Sequence, residues 1–167
     1  MIYRRVNLNR ISMEEEIVAE REWPEQLDEI IEEFADCFDA MERYELLFEY
    51  AQRMPTPLAE AEWDDQNKVH GCQSNAHVVC SLDENGRFLM RAGADAQLVQ
   101  GLMTITAIAV NGMTSTEVVE LKPVYADAMG LRNTLTPSRA NGFLNMFEKV
   151  RTAAQNMMLS LINISEP

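Results

Sequence analysis

Cys72 is the residue whose surroundings suggest chemistry. It lies in the run Val-His-Gly-Cys-Gln-Ser at residues 69–74, between a polar stretch and a segment that alternates as a strand does. Gly71 permits the positive φ of a tight turn. The thiol is therefore expected at the tip of a turn, presented outward. Because a thiolate is the nucleophile of sulfur chemistry and needs access, the sequence predicts a reactive cysteine here.

The other chemistry-bearing side chains are predicted to be structural. Cys37 and Cys80 are expected to be small buried hydrophobic groups, since free cysteine is among the most often buried residue types. His70, Cys72, His77 and Cys80 lie within eleven residues, but their spacing matches no common zinc pattern. Neither a metal site nor a protease-like Cys–His pair is predicted, and no role is assigned to either histidine.

Composition places the chain among globular proteins of one domain. Its 167 residues are 47% apolar and 25% charged, which is enough to bury a real core. No run approaches the roughly 18 apolar residues that span a bilayer, and no apolar stretch follows the N-terminal arginines as in a secretory signal. Three cysteines without paired spacing fit a reducing compartment. We expect a soluble, cytoplasmic protein.

The net charge of −13 is unevenly distributed. Residues 1–66 carry 19 acidic and 6 basic side chains, whereas residues 67–167 carry 8 of each. Such a chain repels nucleic acid and anionic membranes, so neither is expected as a partner. The carboxylates are interpreted as solvating exposed helix faces. An acidic surface that steers docking to a basic patch on a protein partner is the alternative.

The elements that must position Cys72 follow from apolar spacing. Residues 1–23 are predicted to be a polar extension, 24–160 a single domain and 161–167 a tail. Two amphipathic helices come first, and Asp39 with Glu42 resembles a capping box at the start of the second. The predicted inward residues are Leu27, Ile30, Ile31, Phe34 and Phe38 in the first helix, and Met41, Tyr44, Phe48 and Ala51 in the second.

Strands are predicted at residues 68–70, 76–82 and 87–92, with a hairpin turn at Asn85-Gly86. Asp95 is expected to cap the next helix, which is apolar on both faces and so predicted to be the buried centre. Thr136-Pro137 opens the last helix, whose inward residues are predicted to be Phe143, Phe147, Val150, Ala154, Met157 and Leu161. The expected fold class is α+β, with a small three-stranded antiparallel sheet packed against helices.

Four segments, in this order along roughly residues 27–158, resemble the SufE family, the sulfur-acceptor proteins of iron–sulfur cluster assembly that include CsdE. The segments are Tyr44-Glu45-Leu46-Leu47 through Gln52-Arg53-Met54-Pro55, Asn67-Lys68-Val69-His70-Gly71-Cys72-Gln73-Ser74, Asp95 through Gly101-Leu102, and Leu135-Thr136-Pro137-Ser138-Arg139-Ala140-Asn141-Gly142. Several motifs in one order make a more specific match than any one of them.

The resemblance implies a SufE/IscU-like fold and a persulfide relay. A cysteine desulfurase (SufS/CsdA-like) that uses pyridoxal phosphate would hold sulfur as a persulfide, and Cys72 would accept it and pass it to an iron–sulfur scaffold complex. The chain would stimulate the desulfurase as an accessory sulfurtransferase, without a cofactor of its own. A monomer is expected, because no large apolar stripe is left over. The supporting residues are Gly71, Gln73, Ser74, Asp95 and Arg139.

Arg139 supplies a separate clue. It falls near the third position of the last helix, where a positive charge opposes the helix dipole, and such a residue often has a tertiary role. We hypothesise that Arg139 and the helix N-terminus hold the Cys72 loop or favour its anionic form, a structural salt bridge being the alternative. Asp95 corresponds to a family aspartate near the turn, but a helix cap is preferred for it.

Two other functions remain open from the sequence. An iron–sulfur or zinc-binding scaffold would need several exposed thiolate ligands, and only Cys72 is expected to be exposed. A non-catalytic desulfurase regulator would dock through the acidic helices, and its stimulation of the desulfurase would survive Cys72→Ser.

Overall fold

The computed structural model describes residues 4–6 and 18–165, with side chains described for residues 21–160. Helices and strands are both present, which confirms the α+β class. The elements in chain order are β1 (Arg4–Val6), β2 (Val18–Glu20), α1 (Asp28–Ala35), α2 (Ala40–Ala51), β3 (Ala76–Leu82), β4 (Phe88–Ala94), α3 (Gln97–Val110), α4 (Ser115–Glu120), α5 (Val124–Ala128) and α6 (Pro137–Ser165). Short 3-10 turns lie at Glu25–Leu27, Glu60–Glu62 and Leu131–Asn133.

The sheet beside Cys72 has two strands, not three. β3 and β4 form an antiparallel hairpin. The predicted third strand, centred on Val69, is wrong, because only Lys68 pairs with β3, opposite His77. The chain turns away at Gly71, so this segment is too short to extend the ladder. The Cys72 turn therefore connects a single bridge to the first strand of the hairpin.

A second antiparallel pair lies within the predicted N-terminal extension. β1 pairs with β2, where the sequence predicted no strand. Just after β2, the Arg21 guanidinium forms an ion pair with Asp28 at 2.7 Å, and the Trp23 indole donates to the same carboxylate at 3.0 Å. These contacts tie the extension to α1. At the other end, the backbone of α6 continues to Ser165, into the segment predicted to be a tail, and the domain boundaries themselves stay predictions.

The start of α2 forms one of the two bonds of the predicted capping box, because the Glu42 side chain bonds to Phe38 and not to the N-cap residue Asp39. The Asp39 carboxylate accepts from the Glu42 N–H at 3.0 Å, and the Glu42 carboxylate accepts from the Phe38 N–H at 2.6 Å. The two side chains thus satisfy donors that a helix start leaves unpaired.

The predicted inward residues of these helices are partly wrong. Phe38, predicted to be inward in the first helix, lies after the end of α1 and is 87% exposed, while Met41 and Phe48 of α2 are 64% and 40% exposed. Ala51 is buried as predicted, and Leu47 and Tyr50 of α2 are buried as well. Two sets of apolar residues run along α2. Packing against α3 buries the set that includes Leu47 and Tyr50, and leaves Met41 and Phe48 exposed.

α3 is the buried centre of the domain, as predicted. Residues 101–107 are all buried, and α3 packs against α2, β4 and α6. Its buried hydroxyls are satisfied: Thr104 donates to the Gln100 carbonyl at 2.8 Å and Thr106 to the Leu102 carbonyl at 3.0 Å. Because buried polar groups are costly unless bonded, these contacts let threonine sit in the core.

α6 begins at Pro137, as predicted, and runs across the hairpin. Of its predicted inward residues, four are buried (Phe143, Phe147, Val150 and Ala154) and Met157 is half-buried, while the side chain of Leu161 lies outside the described residues. The rings of Phe143 and Phe147 pack against Tyr125 of α5. In the part of the chain that the structure describes, every helix is too short or too polar to cross a lipid bilayer.

We expect Gly101→Ala to destabilise the fold, although alanine is the better helix former by about 1 kcal/mol. A Cβ at Gly101 would overlap the Leu47 carbonyl of α2, and such overpacking costs about 1–3 kcal/mol. Urea unfolding measures the change. Gln97→Ala, at an exposed site of the same helix, is the control and should leave the midpoint nearly unchanged. An unchanged or raised urea midpoint for Gly101→Ala would contradict this expectation, because it would show that α2 and α3 can move apart without loss of stability.

Candidate functional site

The Cys72 turn has the predicted backbone geometry. Gly71 adopts φ +81°, in the left-handed region where a side chain is strained. Its Cα also abuts the amide of Asn145, so that a Cβ there would overlap this α6 side chain. The positive φ thus favours glycine, and the close approach of the Asn145 side chain adds to that preference.

The thiol itself is not presented outward. Cys72 is half-buried, and a Cβ at Gly142 would come within 3.3 Å of its Sγ. Cys37 and Cys80 are half-buried as well, so the predicted contrast between one exposed and two buried cysteines is wrong. The reason is tertiary: α6 passes over the turn at a glycine, which local sequence around Cys72 does not encode.

Beneath the thiol lies a small, mainly apolar cavity. Its free volume is about 10 Å³, close to the least that holds one water-sized guest. Gln73, Ser138 and Arg139 contribute its polar lining, and the remaining lining residues are Cys72, Ala76, Val99, Leu102, Gly142, Phe143 and Met146. A space of this size suits a single atom added to the thiol.

Arg139 holds one side of the turn. It is the third residue of α6, as predicted, and its N–H donates to the Thr136 hydroxyl at 3.3 Å. Its guanidinium donates to the Ser74 hydroxyl at 2.6 Å, two residues from the thiol. Among the described residues, no ion pair forms at Arg139. The predicted loop-holding contact is therefore present in the structure.

Asp95 holds the other side. Its carboxylate accepts from the Asn75 N–H at 3.0 Å and from the Asn75 side-chain amide at 2.9 Å. The predicted helix-capping role is wrong, because Ala96 occupies the N-cap position of α3 and no side chain caps it. Asp95 lies one residue too early, and its carboxylate turns towards the Cys72 turn instead.

The structure thus brings all the predicted supporting residues to one place, with Gln73 exposed beside the thiol. Sequence reasoning missed Asn75 as the partner of Asp95, and it missed Gly142 and Asn145 as the surface on which the turn rests. A signal existed for Gly142, which ends the Leu-Thr-Pro-Ser-Arg-Ala-Asn-Gly segment. No local pattern pointed to Asn145.

The two remaining cysteines are poor thiolates. Burial raises the pKa of Cys80 to about 12, although Lys149 opposes the shift. Burial, and next the Glu42 carboxylate, raise the pKa of Cys37. A raised pKa lowers the fraction of each thiol that is ionised, and the thiolate is the nucleophilic form.

The histidines do not join the thiol site. His77 is buried, stacks on Trp63 at 4.7 Å between ring centroids and bonds to the Asn67 side chain at 2.7 Å. His70 is exposed. Among residues with described side chains, no group of three or more His, Cys, Asp or Glu is placed to hold a metal ion.

The chain is similar to known proteins over most of its length. The family model SufE, described as an Fe-S metabolism associated domain, matches residues 28–154. An uncharacterized SufE-like protein from Synechocystis sp. is 40% identical over 138 residues, which are 83% of this chain and 86% of that relative. SufE-like protein 1, chloroplastic/mitochondrial, from Arabidopsis thaliana is 32% identical over 136 residues, 81% of this chain but only 36% of that longer protein.

The architecture also matches a solved structure. The solution structure of a hypothetical protein from Thermus thermophilus superposes with a TM-score of 0.67, covering 82% of this chain and 98% of that one. The identity is 22%, so this likeness concerns the fold alone.

We expect Ser74→Ala to expose the thiol without changing the charge of the site. The substitution removes the hydroxyl that accepts from Arg139, and one hydrogen bond of about 1 kcal/mol corresponds to an about fivefold larger open population. The rate of iodoacetamide labelling at Cys72, followed by peptide mass spectrometry, should rise by that factor. Ser81→Ala, at an exposed position of β3, is the control. Equal rates in the three proteins would show that the Arg139 contact does not hold the turn closed.

Proposed function

The chain belongs to the SufE family of Fe-S metabolism associated proteins, and from that premise we propose that it carries sulfur as a persulfide on Cys72. It would take this sulfur from a cysteine desulfurase and pass it on for iron–sulfur cluster assembly. The observation that carries the proposal is a glycine-tipped cysteine turn whose sulfur lies over a one-atom apolar cavity.

The proposed step is a thiol–persulfide exchange. The Cys72 thiolate attacks the terminal sulfur of the desulfurase persulfide, a new S–S bond forms, and the old S–S bond breaks. The desulfurase cysteine leaves as a thiolate, and Cys72 becomes the persulfide. No net oxidation or reduction occurs, because the transferred sulfur keeps its oxidation state, so the chain needs no redox cofactor.

The cavity supports the carrying part of this function. A persulfide adds one sulfur atom to Cys72, and the free volume beneath the thiol is of that order. Phe143 and Met146 of α6 and Leu102 of α3 line the cavity, and such walls exclude water and dissolved thiols. A sulfur atom held there is shielded from the reductants and oxidants that destroy exposed sulfur species.

The polar contacts support the transfer part. Arg139 to Ser74 and Asp95 to Asn75 hold the turn at two points, and Ser74 and Asn75 lie close to the protein surface. Water or a partner's polar groups can replace such bonds at a cost of about 1 kcal/mol each. The turn can therefore open when a partner docks, and its apolar contacts favour closure afterwards.

The desulfurase, its pyridoxal phosphate chemistry, the downstream scaffold, the monomeric state and the cytoplasmic location stay predictions. The charge distribution favours a basic docking surface on the desulfurase, since acidic residues dominate the first 66 positions and complementary charge speeds encounter. Stimulation of the desulfurase would follow from removing its persulfide, which frees the desulfurase for the next turnover.

Incubation with a cysteine desulfurase and cysteine should increase the mass of this protein by one sulfur atom. The gain should be reversed by a thiol reductant and absent in Cys72→Ser, because Cys72 is the cysteine whose sulfur lies at the cavity. Intact-mass spectrometry measures it, with Cys37→Ser as the matched control that keeps the gain. Absence of sulfur on a folded, alkylatable wild-type protein would contradict the proposal, and stimulation by Cys72→Ser would point to a regulator.

Gly142→Ala should accept sulfur but hold it poorly. The added Cβ would lie 3.3 Å from Cys72 Sγ, so the extra sulfur can no longer tuck beneath α6. We expect the persulfide of this variant to be lost to glutathione several-fold faster than that of the wild type, measured by mass spectrometry over time. Ala153→Gly, further along α6, is a control for helix effects. Equal lifetimes would show that the cavity does not shield the persulfide.

A further inference from the structure

One edge of the hairpin is open beyond its first residues. Along β3, the backbone N–H and C=O groups of successive residues point alternately towards β4 and away from it. Asp83, just after β3, donates its N–H to the Arg87 carbonyl at 2.7 Å, so the even-numbered residues of β3 point their backbone groups to the outer edge. On the outer edge, the Val78 N–H donates to the Asn67 carbonyl at 2.8 Å. The next outward-facing residues, Cys80 and Leu82, make no outer-edge backbone bond among the described residues.

On the opposite edge of the hairpin, the backbone N–H groups of β4 are hydrogen-bonded to other segments of the chain. Along β4, the Phe88 N–H donates to the Met113 carbonyl at 2.7 Å, the Met90 N–H to the Asn111 side chain at 2.8 Å, and the Ala92 N–H to the Thr56 carbonyl at 3.2 Å. The fold therefore satisfies one edge and leaves the other as a template for a further strand.

A groove of about 450 Å³ lies beside β3 and reaches the open edge at Cys80. β3 and the bridge segment around Lys68 form one wall, and α6 forms the other. Its lining includes Lys68, His70, Cys80, Asn145, Glu148 and Lys149. Extended segments bind in such places by adding main-chain hydrogen bonds to the edge while the walls select their side chains.

The charge of the groove differs from that of the chain. Lys68 and Lys149 line it together with one carboxylate, Glu148, whereas the whole chain carries a net charge of −13. The Lys149 ammonium donates to the Gln66 carbonyl at 3.1 Å, so it is held at the groove wall. A segment with acidic side chains complements this lining.

The groove is connected to the thiol site. Asn145 lines the groove, and its amide is also the group against which Gly71 packs. A segment seated along β3 would therefore contact the back of the Cys72 turn, on the other side from the cavity. A segment bound in this position would be able to shift the Cys72 turn while leaving the thiol accessible.

We propose that this groove binds an extended, acidic segment of a partner protein, which adds a strand to β3 at Cys80 and Leu82. The site goes beyond the proposed sulfur transfer and does not require it, because no groove contact involves the Cys72 sulfur. The free edge comprises only the few residues around Cys80 and Leu82, and each strand residue spans about 3.3 Å. The bound segment is therefore only a few residues long, and its binding is readily reversible.

A synthetic peptide of alternating valine and glutamate, acetylated and amidated, tests the site. Residue-resolved hydrogen exchange by NMR should show the Cys80 and Leu82 amides slowed about tenfold at a peptide concentration of about ten times Kd. The same peptide with N-methyl groups on alternate residues keeps its charge but loses backbone N–H donors. It should therefore not slow exchange of the Cys80 and Leu82 amides. A valine–lysine peptide should bind more weakly than the valine–glutamate peptide.

Charge-reversed variants separate this groove from the rest of the surface. Lys68→Glu and Lys149→Glu should each weaken the glutamate peptide by about threefold, the size of an exposed ion pair. Lys122→Glu makes the same change of net charge at an exposed position outside the groove and should not alter binding. Unchanged exchange of α3 amides shows that each variant is folded.

Several results would overturn the proposal. No protection of Cys80 and Leu82 by the peptide would show that the edge does not accept a strand. Protection that rises with protein concentration alone would assign the groove to a second copy of this chain. Cys72→Ser is expected to bind the peptide as tightly as the wild type does. The peptide experiment therefore tests the groove independently of sulfur transfer.

Discussion

The contact between the Cys72 turn and the first two turns of α6 is the constraint on which the site depends. It exists because Gly142 leaves room for the Cys72 sulfur, while Gly71 leaves room for Asn145 and supplies the positive φ of the turn. A bulkier residue at Gly142 would crowd the Cys72 sulfur, and one at Gly71 would displace the Asn145 side chain and strain the turn. The cavity would then open to water, and a sulfur atom added to the thiol would lose its shield.

The rest of the fold keeps the start of α6 in place. Before that helix, the Tyr44 hydroxyl of α2 donates to the Thr134 carbonyl at 2.5 Å, and Arg43 donates to the Thr134 hydroxyl at 3.4 Å. From the core side, the Tyr125 hydroxyl bonds to Thr106 of α3 at 2.9 Å. These contacts join α2 to the segment that precedes α6, and α3 to α5, whose Tyr125 ring packs against Phe143 of α6.

The two sides of the turn have different chemistry. On the cavity side, apolar walls from α3 and α6 favour a closed, dry sulfur. On the outer side, Arg139 and Asp95 hold the turn through polar contacts that a partner or water can replace. The hairpin has the same asymmetry, with a fully bonded edge along β4 and an open one along β3. A carrier needs both properties, since it must protect its cargo and then release it.

The sequence by itself indicated the Cys72 turn as the candidate site and predicted most of the elements that surround it. The turn at Gly71, the N-cap at Asp39, the central helix and the start of α6 at Pro137 all follow from short-range propensities. Only the tertiary structure decided which stripe of α2 is buried, that the segment at Lys68 stays a single bridge, and that Asp95 binds Asn75 instead of capping α3. These outcomes depend on packing between distant segments, where geometry selects among faces that are equally apolar or equally polar in the sequence.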